Sequence, residues 1–130
     1  MDETTTFAEL KQYIADFVAA RDWSRNHDLK SLSASVAIEA AELLEHFQWL
    51  DRAESLALVE DEAVRAEVAA EVADVLIYLL QFANVAGIDL SEAFRTKMAR
   101  NALRFPPGLP WGSGDQTQTA ECKGQAESQA

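Results

Sequence analysis

The segment from Asp61 to Ala86 constrains the fold more than any other. It is apolar nearly all round, and its polar residues Glu67, Glu71, Asp74, Tyr78 and Gln81 share one narrow stripe at helical spacing. A helix of that kind cannot stand alone in water, so it is expected to be largely buried under other helices. Gly87 follows as a left-handed terminator. Three further segments read as helices. Thr6 with Glu9 forms a capping box ahead of Phe7, Leu10, Ile14 and Phe17, a pattern that runs to about Arg21. A polar stretch from Asp22 to Lys30 breaks it. A second helix is predicted from about Ser31 to Leu50, with Val36, Ala40, Leu43, Leu44 and Phe47 in one stripe, and Asp51 with Glu54 caps a short linking helix. Asp89 with Glu92 caps the last helix, which runs to about Phe105 and stops at Pro106-Pro107. No segment reads as a strand. The expectation is therefore all-α: a four-helix bundle over residues 1–106, followed by a flexible low-complexity tail at 107–130.

An internal similarity lies inside this pattern. Val36-Ala37-Ile38-Glu39-Ala40-Ala41-Glu42-Leu43-Leu44 lies without a gap on Val68-Ala69-Ala70-Glu71-Val72-Ala73-Asp74-Val75-Leu76. At about 100° per residue, each acidic pair falls on the same flank of its own apolar stripe. If the two helices pack antiparallel, the four carboxylates converge. An acidic helix face is ordinarily just solvated, but no Lys or Arg occurs from Ser31 to Asp51 or from Ala66 to Phe94 to pair with these acids. Converging carboxylates repel unless protonated or neutralised by a cation. With oxygen donors alone, the set suits Mg²⁺ or Mn²⁺ rather than zinc. Ferritin-like di-iron bundles also gather glutamates, but they use Glu-x-x-His, and His46 follows Glu42 by four and Glu45 by one.

Charge narrows the partners. The 130 residues carry 22 acidic and 11 basic side chains, a formal net charge of −11. That balance works against binding nucleic acid or an anionic membrane, so a phosphate-bearing ligand calls for a metal intermediary. Magnesium held by carboxylates commonly takes its remaining ligands from substrate phosphates. Lys97, Arg100 and Arg104, with Asn101 between them, form the densest basic cluster and could take the far phosphates, although basic residues at a helix C-terminus also complement its dipole. Trp23, His27 and Trp49 could hold a base. Trp49 lies on the side of its helix shared with Ile38 and Glu42, away from the main stripe, as for a pocket or a subunit interface. The single Cys122 fits a reducing compartment. Met1-Asp2-Glu3-Thr4 lacks the basic start of a signal peptide, and no apolar run reaches the roughly 18 residues of a membrane span, so a cytoplasmic location is expected.

These residues together resemble the MazG-like all-α nucleoside triphosphate pyrophosphohydrolases, and among them the short dCTP pyrophosphatase group. The similarity covers roughly Phe7 to Pro106. It rests on Arg21-Asp22-Trp23 with His27, on Glu39 through Trp49, on Glu71 through Leu79, on Gly87-Ile88-Asp89-Leu90 and on Lys97 through Pro106. The resemblance implies hydrolysis of a (d)NTP between the α and β phosphates, giving the monophosphate and pyrophosphate, with dCTP or a modified pyrimidine nucleotide as substrate. It implies Glu39, Glu42, Glu71 and Asp74 as Mg²⁺ ligands, one glutamate being available to orient or deprotonate the attacking water. Lys97 and Asn101 match phosphate positions, Arg104 matches the arginine before the aromatic-Pro pair, and Trp23, His27, Trp49 and Tyr78 match positions around base and sugar. It further implies a homodimer or homotetramer. Three departures stand out: Phe105 replaces a usual Tyr before Pro106, removing a hydroxyl that could touch phosphate, while in the loop Asn26 replaces an aromatic before His27 and Asp28-Leu29-Lys30-Ser31 replaces a stretch with Pro and then Asn, which bears on base selectivity. Two alternatives stand beside this reading, a phosphoribosyl-ATP pyrophosphohydrolase-like enzyme and a non-catalytic acidic helical module that binds a basic partner.

Overall fold

Short polar caps set where each helix begins. In the computed structural model, which describes residues 3–108, α1 spans Phe7–Ala19 and opens on the expected box: the Glu9 amide donates to Thr6 Oγ1 at 3.2 Å, and Glu9 Oε2 accepts from the Thr6 amide at 2.7 Å. It ends earlier than the apolar pattern implied, because Asp22 turns the chain in a left-handed conformation (φ 54°) into a 3₁₀ turn, Trp23–Asn26. Helix α2 spans Leu29–Glu45 rather than 31–50. Asp28 supplies the cap, accepting from the Ser31 amide at 3.0 Å, so two residues assigned to the loop are helical. Beyond Glu45, bonds such as Phe47 N–H to Leu44 C=O (2.9 Å) and Leu50 N–H to Phe47 C=O (3.0 Å) tighten the chain into turns.

The Asp51 and Glu54 box then starts α3, Arg52–Leu58, and Asp61 caps α4, Glu62–Ala86, which closes on Gly87 (φ 64°). Helix α5 is Leu90–Arg104. All described elements are helical. The tail expected at 107–130, with Cys122, falls, apart from Pro107 and Gly108, outside the described residues.

The chain divides after Leu90 into two compact units. In the first, α4 is the axis, with α1 and α2 each packed against it. Ile14 and Val18 of α1 meet Leu80 of α4, flanked by Leu10 and Leu90. Lys11 fixes the register: its Nζ donates to the Ile88 carbonyl at 2.9 Å, and its own carbonyl accepts from Asn84 Nδ2 at 2.9 Å. Helix α1 therefore runs antiparallel to α4, its start beside the end of α4. From α2, Leu32 is fully buried.

The expected enclosure of α4 is not reached within one chain. Leu80, Gln81 and Ala83 are its buried residues, while Val72, Leu76 and Leu79 are 49%, 37% and 44% exposed. Two helices cover only part of a cylinder that is apolar on nearly every side. The same helix is long and apolar enough, by length and composition, to cross a membrane, contrary to the expectation that no run would be. Any 18-residue stretch of it includes both Glu71 and Asp74.

Candidate metal and nucleotide site

Helical phase brings the acids together. Glu39 and Glu42 lie one turn apart on α2, and Glu71 and Asp74 one turn apart on α4. One carboxylate oxygen from each of Glu39, Glu42 and Glu71 lies within 4.8 Å of the others. Asp74, the fourth expected member, reaches Glu39 through its charge. Glu39 and Glu71 are half-buried and Glu42 is exposed. None of the four has an ion-pair partner among the described residues, whereas Arg25 pairs with Asp22 at 2.8 Å. Such a set of hard oxygen donors fits an ion of the Mg²⁺ or Mn²⁺ type.

Asp74 also borders a cavity of ≈ 300 Å³ between α1, the 3₁₀ turn and α4. Its walls are Tyr13, Ile14, Phe17 and Val18 of α1, Trp23 and His27 around the turn, and Ile77, Tyr78 and Gln81 of α4. The aromatic corner is held by its own contacts. Phe17 meets Trp23 edge-to-face, with centroids 5.8 Å apart, and Trp23 lies 6.4 Å from His27. The Arg21 guanidinium sits 3.4 Å over the Phe17 ring. Three of the four expected base-side residues, Trp23, His27 and Tyr78, thus share one pocket with a carboxylate.

Trp49 does not join them. It lies past the end of α2, is 86% exposed and is absent from the cavity wall. Lys97, Asn101 and Arg104 are on α5, whose residues from Ser91 onward belong to the second unit. Their spacing of four and three puts them on one side of that helix. Within the unit, Asn101 Nδ2 lies 3.9 Å from Met98 Sδ, and the Arg104 guanidinium is 5.1 Å from the Phe105 ring centre.

The sequence reading missed Tyr13 and left Phe17 and Gln81 without a site role. Phe17 was one more member of the α1 stripe. Gln81 carried a usable signal, since Asp74, Tyr78 and Gln81 stand at i, i+4 and i+7 and so occupy one side of α4.

Burial pushes the Glu39 carboxyl above its ordinary range, and the charges of Glu42, Asp74 and Glu71 push it the same way. A carboxyl with a raised folded pKa contributes stability at low pH and loses that contribution as pH rises through the folded value. Glu9 and Asp28, held low chiefly by hydrogen bonds with Thr6 and Ser31, act in the opposite sense at lower pH. Those two are common to a wild type and Glu39→Gln comparison. In metal-free protein, Glu39→Gln is expected to melt above wild type at neutral pH, with the difference vanishing as both are acidified below the carboxylate range. A difference independent of pH, read by thermal unfolding, would contradict this origin.

Known proteins resemble the chain over most of its length. The chain is 36% identical over 108 residues to dCTP pyrophosphatase 1 of Rattus norvegicus, covering 83% of this chain and 64% of that protein. It is 35% identical over 104 residues to the Homo sapiens protein of the same name, covering 80% and 61%. The chain thus spans less than two thirds of the length of these relatives. Among solved structures, a pyrophosphatase from Archaeoglobus fulgidus superposes with a TM-score of 0.72 at 41% identity, covering 76% of this chain and 91% of that one. The MazG-like family model matches residues 34–106, which include all four carboxylates as well as Tyr78, Lys97, Asn101 and Arg104, and the chain belongs to the MazG-like family.

Proposed function

We propose that the protein is a divalent-metal-dependent nucleoside triphosphate pyrophosphohydrolase, acting on a (d)NTP, with dCTP or a modified pyrimidine nucleotide foremost, and serving to cleanse the nucleotide pool in the cytoplasm. One observation carries the reading: Asp74, whose charge acts on Glu39 of the carboxylate cluster, also borders the aromatic-walled cavity, so a metal-and-phosphate end adjoins a base-sized hollow. The names of the relatives point the same way.

Glu39, Glu42, Glu71 and Asp74 would hold Mg²⁺ or Mn²⁺. A bound ion of this kind offsets charge developing on phosphoryl oxygens and makes water more acidic. The chain's own groups do the rest. A glutamate of the cluster accepts a proton from the attacking water. Phe17, Trp23 and Tyr78 offer ring faces and edges to a base, and His27 a polar edge. The family pattern gives Lys97 and Asn101 the phosphates, and Arg104 adds its charge to the same cluster. No side chain is required as a covalent nucleophile, since water is the acceptor of the phosphoryl group.

The expected outcome with wild-type protein, Mg²⁺ and a panel of natural and modified dNTPs is pyrophosphate and monophosphate in equal amounts. Glu42→Gln and Asp74→Asn, still folded by circular dichroism, should lose at least about a hundredfold in turnover. Full turnover in either variant would defeat the reading. We also propose that the protein works as a homodimer or homotetramer, since Val72, Leu76 and Leu79 form an open apolar stripe on the side of α4 away from Asp74, Tyr78 and Gln81. Sedimentation should give a multiple of the chain mass, and Leu76→Glu should reduce it. A monomeric wild type would refute this assembly.

A further inference from the structure

Gln81 is the buried polar side chain of the described residues, only 6% exposed, and it lines the cavity. Burying an amide is costly unless both of its ends are bonded. Its oxygen end has a partner: Asn84 Nδ2 donates to Gln81 Oε1 at 3.4 Å. The assignment of oxygen and nitrogen follows from the neighbour. Asn84 Nδ2 also donates to the Lys11 carbonyl, which can only accept, so the group Asn84 turns to Gln81 is its NH₂ and the Gln81 atom facing it is the oxygen. Gln81 Nε2 is thereby left as the free donor of the amide, still reachable from the cavity rather than fully enclosed. On the same wall, His27 Nδ1 is fully buried and without a hydrogen-bond partner among the described residues.

Position gives the donor a target. Asp74 and Gln81 are seven residues apart on one face of α4, a rise of about 10.5 Å. Asp74 marks the metal end of the cavity and Gln81 lies two turns farther along. In a nucleoside triphosphate, the base edge opposite the glycosidic bond is farthest from the phosphates. Resting on the pyrophosphohydrolase reading above, we propose that Gln81 is a specificity-determining residue of this chain. Its Nε2 donates to N3 of cytosine on the distal edge, where uracil presents an N3–H donor instead, so dCTP is favoured over dUTP, while Asn84 and the Lys11 carbonyl hold the amide in that sense. A site that hydrogen-bonds a substrate group discriminates against analogues that leave it unpaired.

The test is the ratio of kcat/KM for dCTP and dUTP, measured on the same preparation so that any loss of folded protein cancels. Wild type should separate the two by about tenfold or more. Gln81→Ala, and Gln81→Glu, which keeps the shape but lacks the donor, should each shrink that ratio by about tenfold. Asn84→Ala should shrink it partway, while a merely structural role for Asn84 would slow both nucleotides alike. A wild type indifferent to the pair, Gln81 variants with an unchanged ratio, or variants inactive on every nucleotide would each overturn the proposal while leaving the pyrophosphohydrolase reading intact. Absence of pyrophosphate release from any nucleotide by wild type would instead overturn that reading.

Discussion

Electrostatic repulsion among the carboxylates of α2 and α4 is the constraint on which the site depends. Apolar packing of α2 on α4 places three glutamate oxygens within 4.8 Å of one another, and Asp74 adds its field. Nothing basic among the described residues relieves them, and the cost shows in the Glu39 carboxyl, pushed up by burial and by its neighbours. A fold that accumulates this repulsion is stabilised by whatever neutralises it. In a chain of net charge −11, a divalent cation bound there would turn a repulsive groove into a place for a polyphosphate to dock. The metal would then do for phosphates what backbone amides and lysine do in glycine-rich loops.

That constraint was readable in the sequence because it depends on helical phase, and phase survives errors at helix ends. The ends of α2 were misjudged by two residues at the start and five at the finish, yet Glu39 and Glu42 stay a turn apart on the same flank. The capping boxes at Thr6 and Asp51 and the left-handed Gly87 were equally legible, since each is a local bargain between side chain and backbone. The cavity was not. It depends on the left-handed turn at Asp22 and the 3₁₀ segment after it, which swing Trp23 and His27 against α1 and α4. No periodicity announces such a turn. Trp49 shows the converse: its place on an extrapolated helix lost meaning once the chain tightened into turns after Glu45.

Burial sets the second condition. Within one chain the fully enclosed core is small, centred on Ile14, Val18, Leu80 and Ala83 with Leu32, while α4 keeps Val72, Leu76 and Leu79 open. Free energy from apolar burial grows with area, at about 25 cal/mol per Å². An element apolar on nearly every side therefore gains most from an additional neighbour. The opposite side of α4 carries the stripe of Asp74, Tyr78 and Gln81, so one helix serves as a packing axis and as a wall of the cavity.

Catalysis at this site requires that the clustered carboxylates hold a divalent ion. Titration of the chain with Mn²⁺, followed by the loss of the free-ion electron paramagnetic resonance signal, reads this directly and needs no substrate. Wild type should take up Mn²⁺ in a saturable step that Mg²⁺ competes away, and the double variant Glu39→Gln, Glu71→Gln should not. Equal uptake by wild type and the double variant, or none by either, would contradict the account.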